Sequence, residues 1–376
     1  MDELHMADIL EELEDAEEDN AIVPALRVTI DPLETLPENQ FVKIFRVSKI
    51  LFRFIVGLLA PFMRPQNRGK DLAINTRVLA ALRFYAGGSY QTDIGVNKFV
   101  SISQQSVSRS IKEVTDALNR PQILNRFIKF PQDIQELNSC RRKFYEKFGF
   151  PGVVGCIDCT HVAIVPPPGN NPEMPERAFV NRKGYHSINV QLICDSNAKI
   201  LNIVAAHAGN THDSFIWTNC EVERVMRQIH GEGRSNYYLL GDSGYPLRPW
   251  LLTSFNYEPA PDTPEYRYNV AHKSVRSIIE RCNGILKARF RCCLKDRVLH
   301  YKPEMACKII NACAVLHNLC TDHHMPVPED EEVIDVNDGL IQAPPLEENE
   351  RAQGRINPEL VAGRNTRARL IRARFQ

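Results

Sequence analysis

The sequence has no excess of charge of either sign, because 46 Lys and Arg residues balance 46 Asp and Glu residues in a chain of 376. This balance excludes the strongly basic composition that marks many nucleic-acid-binding domains. The two ends nevertheless differ: Asp and Glu dominate from Asp2 to Asp19, whereas Arg364 to Arg374 contains five Arg and no acid. We therefore predict disorder over residues 1–39 and over 325–376, where the chain is first acidic and then Arg-rich. The basic run is alternatively a DNA-contacting arm or a nuclear-import signal.

Long apolar segments are also lacking near the start of the chain. The longest uninterrupted one there, Phe54 to Met63, is too short to cross a bilayer and is flanked by Arg53 and Arg64. The first residues are acidic and do not have the basic start of a secretory signal. The Cys count is eleven, an odd number, and the spacing shows no repeating framework, which indicates reduced thiols inside the cell. We expect a protein of the nucleus, and also of the cytoplasm, that makes no membrane contact.

A chain of this length accommodates roughly two or three domains of about 150 residues each. Three segments place apolar residues at helical spacing: 40–62, 75–86 and 104–118. Asn75 and Ser103 stand where they can cap the second and third of these helices, and a short polar segment lies between the two. We therefore predict a helical, helix-turn-helix-like DNA-binding region over residues 40–135, in which Arg109 and Lys112 contact DNA. An ordinary small helical bundle with a solvated face explains the pattern equally well.

The composition changes after Phe150, where β-branched residues become frequent. Four segments are predicted to be strands: 152–165, 185–194, 199–206 and 237–241. Three are predicted to be helices: 214–229, 271–290 and 303–320. Strands followed by long helices indicate an α/β fold, in which a mixed sheet is flanked by helices. We predict that this core spans residues 150–322.

Three acidic residues stand where a carboxylate is costly unless it is paired or binds a cation. Asp158 lies inside an apolar strand, Asp242 ends the strand YYLLG, and Glu280 lies mid-helix at the edge of the apolar face. Carboxylates from two strands and a helix can converge on one point, where their hard oxygen atoms suit Mg²⁺ or Mn²⁺. Two such ions can activate the attacking oxygen and stabilise the leaving oxygen in phosphodiester cleavage. Each acid alone is also typical of a cap, a turn or an ion pair, so the inference depends on their combination.

Basic residues near these acids in the sequence are candidates for contacts with DNA phosphates. They are Arg182, Lys183, Lys273, Arg276 and Lys287.

Some other residues have spacings that suggest different chemistry. Cys156 and Cys159 have the C-x-x-C spacing of zinc ligands, but on a strand they point to opposite faces, and no second pair follows. His207 and His212 precede Asp213, where a proton-transfer or phosphate role competes with that of an ordinary loop histidine. His317, in an apolar helix, is interpreted as a hydrogen-bonded core histidine.

Five motifs occur together in an order that resembles the PIF/Harbinger transposase superfamily and its domesticated nucleases. They are GCIDCTHV at 155–162, NRKGYHS at 181–187, GNTHDS at 209–214, LGDSGYP at 240–246, and IER with GILK at 279–287. The resemblance covers roughly residues 40–320 and implies a ribonuclease H-like core. It implies that Asp158, Asp242 and Glu280 form a catalytic DDE triad and that Asp213 is a further metal ligand. It also implies a DNA-binding helical region before the core and a separate Myb/SANT-like partner protein.

The residues and the resemblance together predict a transposase-derived, Mg²⁺- or Mn²⁺-dependent DNA endonuclease. Water is the expected nucleophile, or a DNA 3′-hydroxyl if strand transfer is retained. Two alternatives stay open: a domesticated DNA-binding or scaffold protein that no longer cuts, and a still-mobile transposase. The sequence also leaves open whether the chain forms a homo-oligomer.

Overall fold

The computed structural model describes residues 30–66, 71–88, 90–168, 175–328 and 357–376. Its N-terminal part is helical up to the first strand. The helices are α1 Pro32–Thr35, α2 Glu38–Phe45, α3 Lys49–Leu59, α4 Ile74–Gly87, α5 Gln91–Gly95, α6 Gln104–Leu118, α7 Pro121–Phe127 and α8 Ile134–Phe148. The helical region thus begins at Pro32, inside the segment predicted to be disordered. Most of that acidic segment, residues 1–29, lies outside the described residues.

The single helix predicted over residues 40–62 is wrong, because the chain breaks between α2 and α3. Arg46 adopts a left-handed conformation with φ 64°, and Ser48 then caps a new helix. The Ser48 hydroxyl accepts a hydrogen bond from the amide of Leu51 at 3.0 Å. Apolar spacing continues across the break, so periodicity alone does not reveal it.

Of the two N-caps predicted for the next helices, one is wrong and one is confirmed. Asn75 lies inside α4, which begins after Ala73. Ser103 caps α6 as predicted, since its hydroxyl accepts from the amide of Ser106 at 3.2 Å. The order of a helix, a short helix and a longer helix predicted for a helix-turn-helix is therefore present in α4, α5 and α6, while its role in DNA binding stays a prediction.

Five strands form one mixed sheet in the order β3-β2-β1-β4-β5. They are β1 Val153–Ala163, β2 Ser187–Cys194, β3 Ile200–Ala208, β4 Tyr238–Leu240 and β5 Leu251–Leu252. β1 pairs with β2, and β2 with β3, in antiparallel fashion, whereas β4 and β5 run parallel to β1. The predicted α/β fold, a ribonuclease H-like mixed sheet flanked by helices and preceded by a helical region, is confirmed.

Further helices, all of which follow β3 in the chain, cover the sheet. They are α9 Asp213–Thr218, α10 Glu221–Gly231, α11 Pro264–Arg289, α12 Pro303–Asp322 and α13 Pro358–Arg374. The segment predicted as one helix over residues 214–229 is two helices, since α9 ends at Thr218 and α10 begins at Glu221. No helix within the described ranges combines the length and the apolar character needed to span a bilayer.

The central strand β1 separates two apolar layers. Cys156 and Val162 belong to the layer that includes α11, α12 and the N-terminal helices, while Ile157 and Cys159 belong to the layer under α8, α9 and α10. The thiols of Cys156 and Cys159 therefore point to opposite faces, as the strand period predicts. They cannot hold one zinc ion together.

Two buried polar side chains of α12 form hydrogen bonds with the backbone at the start of β3. The Asn318 amide pairs with the backbone of Ile200, accepting from its N–H at 2.8 Å and donating to its carbonyl at 2.7 Å. Nε2 of His317 lies 2.8 Å from the carbonyl of Ala198, which confirms that it is a hydrogen-bonded core histidine.

The end of the chain is a docked helix, which corrects the disordered tail predicted for residues 325–376. Leu360, Leu370 and Ile371 of α13 are buried, and the Phe375 ring packs 5.6 Å from that of Phe150. The guanidinium of Arg367 lies 3.9 Å from the ring centre of Phe255 and donates to the Thr253 carbonyl. The prediction failed because the five arginines outweighed these apolar positions in composition. Residues 329–356 of the predicted tail lie outside the described residues.

A buried ion pair joins α4 to α6. The Arg77 guanidinium donates to both carboxylate oxygens of Glu113 at 2.8 Å and to the Arg64 carbonyl at 2.7 Å. The side chains of Arg77 and Glu113 are only 9% and 11% exposed. Such a pair adds little net stability, but losing one partner leaves the other charge buried and unpaired.

We predict that Glu113→Ala lowers the free energy of unfolding by about 3 kcal/mol, because Arg77 then stays buried without its carboxylate. Urea denaturation followed by circular dichroism measures this loss. The double variant Arg77→Met/Glu113→Leu removes both charges and should lose clearly less. Equal losses in the two variants would show that the ion pair is not what links the helices.

Candidate active site

Asp158 and Asp242 lie side by side because of the register between β1 and β4. The two strands run parallel, with Cys156 opposite Leu240. Asp158 and Asp242 are each two residues further along, so their side chains lie on the same face, just past the end of β4. This is the edge of a sheet where the crevice for ligands normally opens.

Helix α11 brings Glu280 to the same crevice. The helix packs against β1, where the thiol of Cys156 lies 3.6 Å from the carbonyl of Val275. Arg276 then links the two elements, with its guanidinium 3.6 Å from an oxygen of Asp158 and in a close ion pair with Glu280 one turn along the helix. The Arg276 side chain is 13% exposed, so a largely buried cation lies between the two carboxylates.

Asp213, at the start of α9, faces the same crevice. The side-chain amide of Asn189 in β2 donates to the Asp213 carboxylate at 3.0 Å and to the Thr211 carbonyl at 2.8 Å. The amide N–H of Gly244 donates to Asp242 at 2.9 Å. A Cβ on Gly244 would lie 3.1 Å from an oxygen of Asp242 and 3.8 Å from an oxygen of Asp213. Both carboxylates therefore border one gap, which the lack of a side chain at residue 244 keeps open.

The acids have an excess of negative charge. Burial raises the pKa of Asp158 to about 8; Arg276 opposes this rise, and the nearby Asp242, Asp213 and Glu280 add to it. Burial also raises the pKa of Asp242, again against the attraction of Arg276. Burial alone would lower the pKa of Arg276, but the surrounding carboxylates raise it above its usual value. One guanidinium thus partly neutralises several carboxyl groups.

A small cavity of about 60 Å³ opens beside Asp158 and Asp213. Arg182 and Lys183 line it as well, so its walls carry both charges. The exposed Arg182 donates to Nδ1 of His212 at 2.8 Å, which places this histidine beside a phosphate-binding candidate. Such a cavity suits a phosphate group that is held between cations and basic side chains.

The donors at this crevice suit a hard divalent cation, because all four are carboxylates. Asp158 and Glu280 flank Arg276, and among the residues that the structure describes the four carboxylates do not form one tight cluster. Within the described part of the chain, the ligand atoms that all lie within 4.8 Å of one another are the buried thiols of Cys292, Cys293 and Cys313. Arg276 therefore supplies the positive charge that a metal ion would supply, and the gap beside Gly244 is the space open to an ion. The assignment of Asp158, Asp213, Asp242 and Glu280 as metal ligands stays a prediction.

Most of the basic residues predicted to contact DNA are accessible. Arg109, Lys112, Arg182 and Lys273 are exposed, and Lys183 is half-buried. Their contact with DNA stays a prediction.

Two further residues predicted to contact DNA, Arg276 and Lys287, are largely buried, because the face of α11 that carries them turns toward the sheet, and their contact with DNA stays a prediction. Arg276 is held between Asp158 and Glu280, as described above. Lys287 is 5% exposed, and its ammonium group donates to the carbonyl of His161 at 2.9 Å. Helical spacing shows that these residues share a face, but it does not show that β1 covers that face.

Two residues that shape the site were missed in the sequence. Asn189 fixes Asp213, and its position was legible in the sequence as one of three alternating polar residues, with Ser187 and Gln191, on one side of β2. Gly244 leaves room between Asp242 and Asp213, and the spacing Asp-Ser-Gly is typical of a turn in which the aspartate accepts from the glycine amide. Neither residue is charged, so a search for metal ligands and catalytic bases overlooks both.

Comparison with known proteins identifies the family to which this sequence is related. Residues 157–318 match the family described as DDE superfamily endonuclease, a span that contains all four carboxylates. "Putative nuclease HARBI1" of Bos taurus and that of Homo sapiens are each 35% identical to the chain over 338 residues, which is 88% of this chain and 91% of either relative. "Protein ALP1-like" of Arabidopsis thaliana is 25% identical over 300 residues, which is 76% of this chain and 71% of that relative.

No solved structure matches the chain significantly. The matched family and the relatives nevertheless agree with the resemblance that the five motifs indicate. The chain belongs to the DDE superfamily of endonucleases, among the relatives of the Harbinger transposase-derived nucleases.

Proposed function

We propose that this protein is a DNA endonuclease that hydrolyses phosphodiester bonds with Mg²⁺ or Mn²⁺ held by Asp158, Asp242 and Glu280, supported by Asp213. The observation that carries the proposal is the register of β1 and β4, which sets Asp158 beside Asp242 at the end of β4 and across from Glu280. A nuclease needs carboxylates at such a position, where DNA can reach them from the crevice.

The protein's own groups prepare this site. Asn189 and the Gly244 amide orient Asp213 and Asp242, so two of the carboxylates are fixed before any ligand arrives. Arg182 and Lys183 at the adjacent cavity would bind the phosphate beside the bond that is cut. When bound, divalent metal would activate a water molecule and stabilise the leaving oxygen. The predicted Myb/SANT-like partner and nuclear location fit such a DNA enzyme and stay predictions.

Arg276 favours a second candidate function, that of a DNA-binding protein that no longer cuts. Its guanidinium already lies between Asp158 and Glu280, where it neutralises part of their charge. A permanent counter-ion at this place would compete with metal. The two functions therefore differ in whether the carboxylates exchange Arg276 for metal when a divalent cation is present.

We predict that Asp158→Asn, Asp242→Asn and Glu280→Gln each lower the nicking of plasmid DNA in Mg²⁺ or Mn²⁺ by more than about 100-fold. Loss of a ligand should exceed the roughly 10- to 100-fold cost of altering a group behind a ligand. Conversion of supercoiled to nicked circles measures the rate. Glu258→Gln, which changes an exposed acid away from the crevice, is the control and should cut normally. Persistent cutting by the Asp158 or Glu280 variant would refute the assignment.

We predict that Arg276→Met lowers the free energy of unfolding in EDTA by roughly 1–3 kcal/mol, because the carboxylates lose their only buried counter-charge among the described residues. Mn²⁺ should then raise the melting temperature of this variant more than that of the unchanged protein, since the ion replaces the missing cation. Differential scanning calorimetry measures both effects. If Mn²⁺ stabilises neither protein, the crevice does not bind metal and the non-cutting function is favoured.

We predict that the metal-free protein loses stability as the pH rises from about 4 to about 8. The pKa of Asp158 is about 8 in the folded chain against 3.8 in the unfolded chain, so the folded state holds the extra proton throughout this window. Stability is therefore greatest below the unfolded pKa and falls until the folded pKa is passed. Affinity for Mn²⁺ should rise over the same window, because the ion must displace this proton. Asp158→Asn should flatten both curves, and an unchanged slope in that variant would assign the effect to another group.

A further inference from the structure

A second and larger opening lies at the other end of β4 from Asp242. It is a cleft of about 810 Å³ between α8 and α13, with the starts of β1 and β4 as its floor. On the floor the ring of Tyr238 lies directly over Gly152, where φ is 83° and any side chain would collide with the ring. Since a strand rises about 3.3 Å per residue, Tyr238 and Asp242 are roughly 13 Å apart along the chain. The cleft is therefore separate from the carboxylate site.

The cleft is strongly basic in a chain with no net charge. Arg141 and Arg142 of α8 and Arg369 and Arg374 of α13 line it, and none of the described residues that line it is Asp or Glu. Arg369 and Arg374 are exposed, and neither forms an ion pair with any residue that the structure describes. Arg142 lies 3.8 Å from Glu146, but this pair is at least 65% exposed on both sides and is correspondingly weak.

Three of these arginines line the cleft together with Tyr238 and act on its hydroxyl. Burial raises the pKa of the Tyr238 hydroxyl, and the rise is opposed by Arg369, Arg141 and Arg374 in that order. The positive charges of all three arginines are therefore felt on the floor of the cleft. The guanidinium of Arg141 also lies 5.1 Å from the ring centre of Tyr237, which fixes its place on the wall.

The two arginines of α13 are held in place by the docking of that helix. Gly363 lies against the backbone of Arg248, where a Cβ would come within 3.0 Å of its carbonyl carbon. Arg367 is buried over Phe255, and Arg267 donates to the Phe375 carbonyl at 2.9 Å. Arg369 and Arg374 therefore project from a fixed helix, so a ligand has to order only their side chains and not the helix itself.

We infer that this cleft binds the phosphodiester backbone of DNA, as a contact distinct from the carboxylate site. Guanidinium groups pair with phosphate oxygens through two parallel hydrogen bonds, which is why arginine suits this ligand better than lysine. Tyr145, 47% exposed on the α8 wall, offers an aromatic surface for an unpaired base. The inference rests on the proposed function for the choice of DNA as the anion, and it gives the enzyme a hold on the substrate away from the bond that is cut.

The test measures DNA binding by the full chain in EDTA, where no metal-dependent cutting occurs. Fluorescence anisotropy of a labelled duplex of random sequence, and of its single strand, is recorded over a series of salt concentrations. Arg369→Ala/Arg374→Ala should weaken binding and lower the slope of log affinity against log salt by about 2, because each lost phosphate contact removes about one. Arg369→Lys/Arg374→Lys should recover most of the slope. Tighter binding of the single strand would assign a base-stacking role to Tyr145, and equal binding would assign the contact to the backbone alone.

Arg224→Ala/Arg372→Ala is the matched control, because it removes two exposed arginines, one of them from α13, that do not line the cleft. This variant should keep the slope of the unchanged protein, and melting temperatures should show that all variants are folded. Equal slopes in the cleft and control variants would overturn the inference. A second outcome would also overturn it: the cleft variant binds DNA like the unchanged protein but no longer binds a synthetic peptide of residues 1–20. The ligand of the cleft would then be an acidic peptide. The two proposals can fail separately. If the protein never cuts DNA but the cleft variant still shows a lower slope of log affinity against log salt, the nuclease proposal is refuted and DNA binding by the cleft is supported.

Discussion

Repulsion among carboxylates at the end of β4 is the constraint on which the rest of this structure depends. Burial raises the pKa of Asp158 and of Asp242, and neighbouring carboxylates raise both further: Asp242, Asp213 and Glu280 act on Asp158, and Asp213 acts on Asp242. A fold that gathers such groups must supply a cation, and Arg276 does so from within the same helix as Glu280. Oxygens of Asp242 and Asp213 still border the gap beside Gly244.

The topology of the sheet explains why the acids come from distant parts of the chain. β4 runs parallel to β1 and ends beside its middle, with Leu240 opposite Cys156, because α9 and α10 carry the chain back across the sheet. Arg276 and Glu280 lie one turn apart on α11, so a single stretch of this helix places both residues at the carboxylate site.

Much of this could be predicted from the sequence, for reasons that differ by residue. Asp158 and Asp242 stand out because a charge in or at the end of an apolar strand is unusual, and the strand period correctly separated Cys156 from Cys159. Family resemblance added Asp213, which sequence patterns alone did not single out. The burial of Arg276 and Lys287 was not predicted, because a helical pattern shows which residues share a face, while only packing shows what covers it. The docking of α13 was missed for a related reason: four apolar contacts and one glycine decide it, and five arginines conceal them.

The two openings can work on one DNA molecule although their charges are opposite. The protein has no net charge, so it exerts little long-range attraction on DNA, and binding must come from local fields. At physiological salt a charge is screened over about 8 Å, which is less than the roughly 13 Å between Tyr238 and Asp242. The carboxylates therefore do not cancel the attraction of Arg141, Arg369 and Arg374 for phosphate. The arginines and the carboxylates lie at opposite ends of β4. In the proposed enzyme one end would hold DNA, while the other would keep the negative charge that a metal site requires.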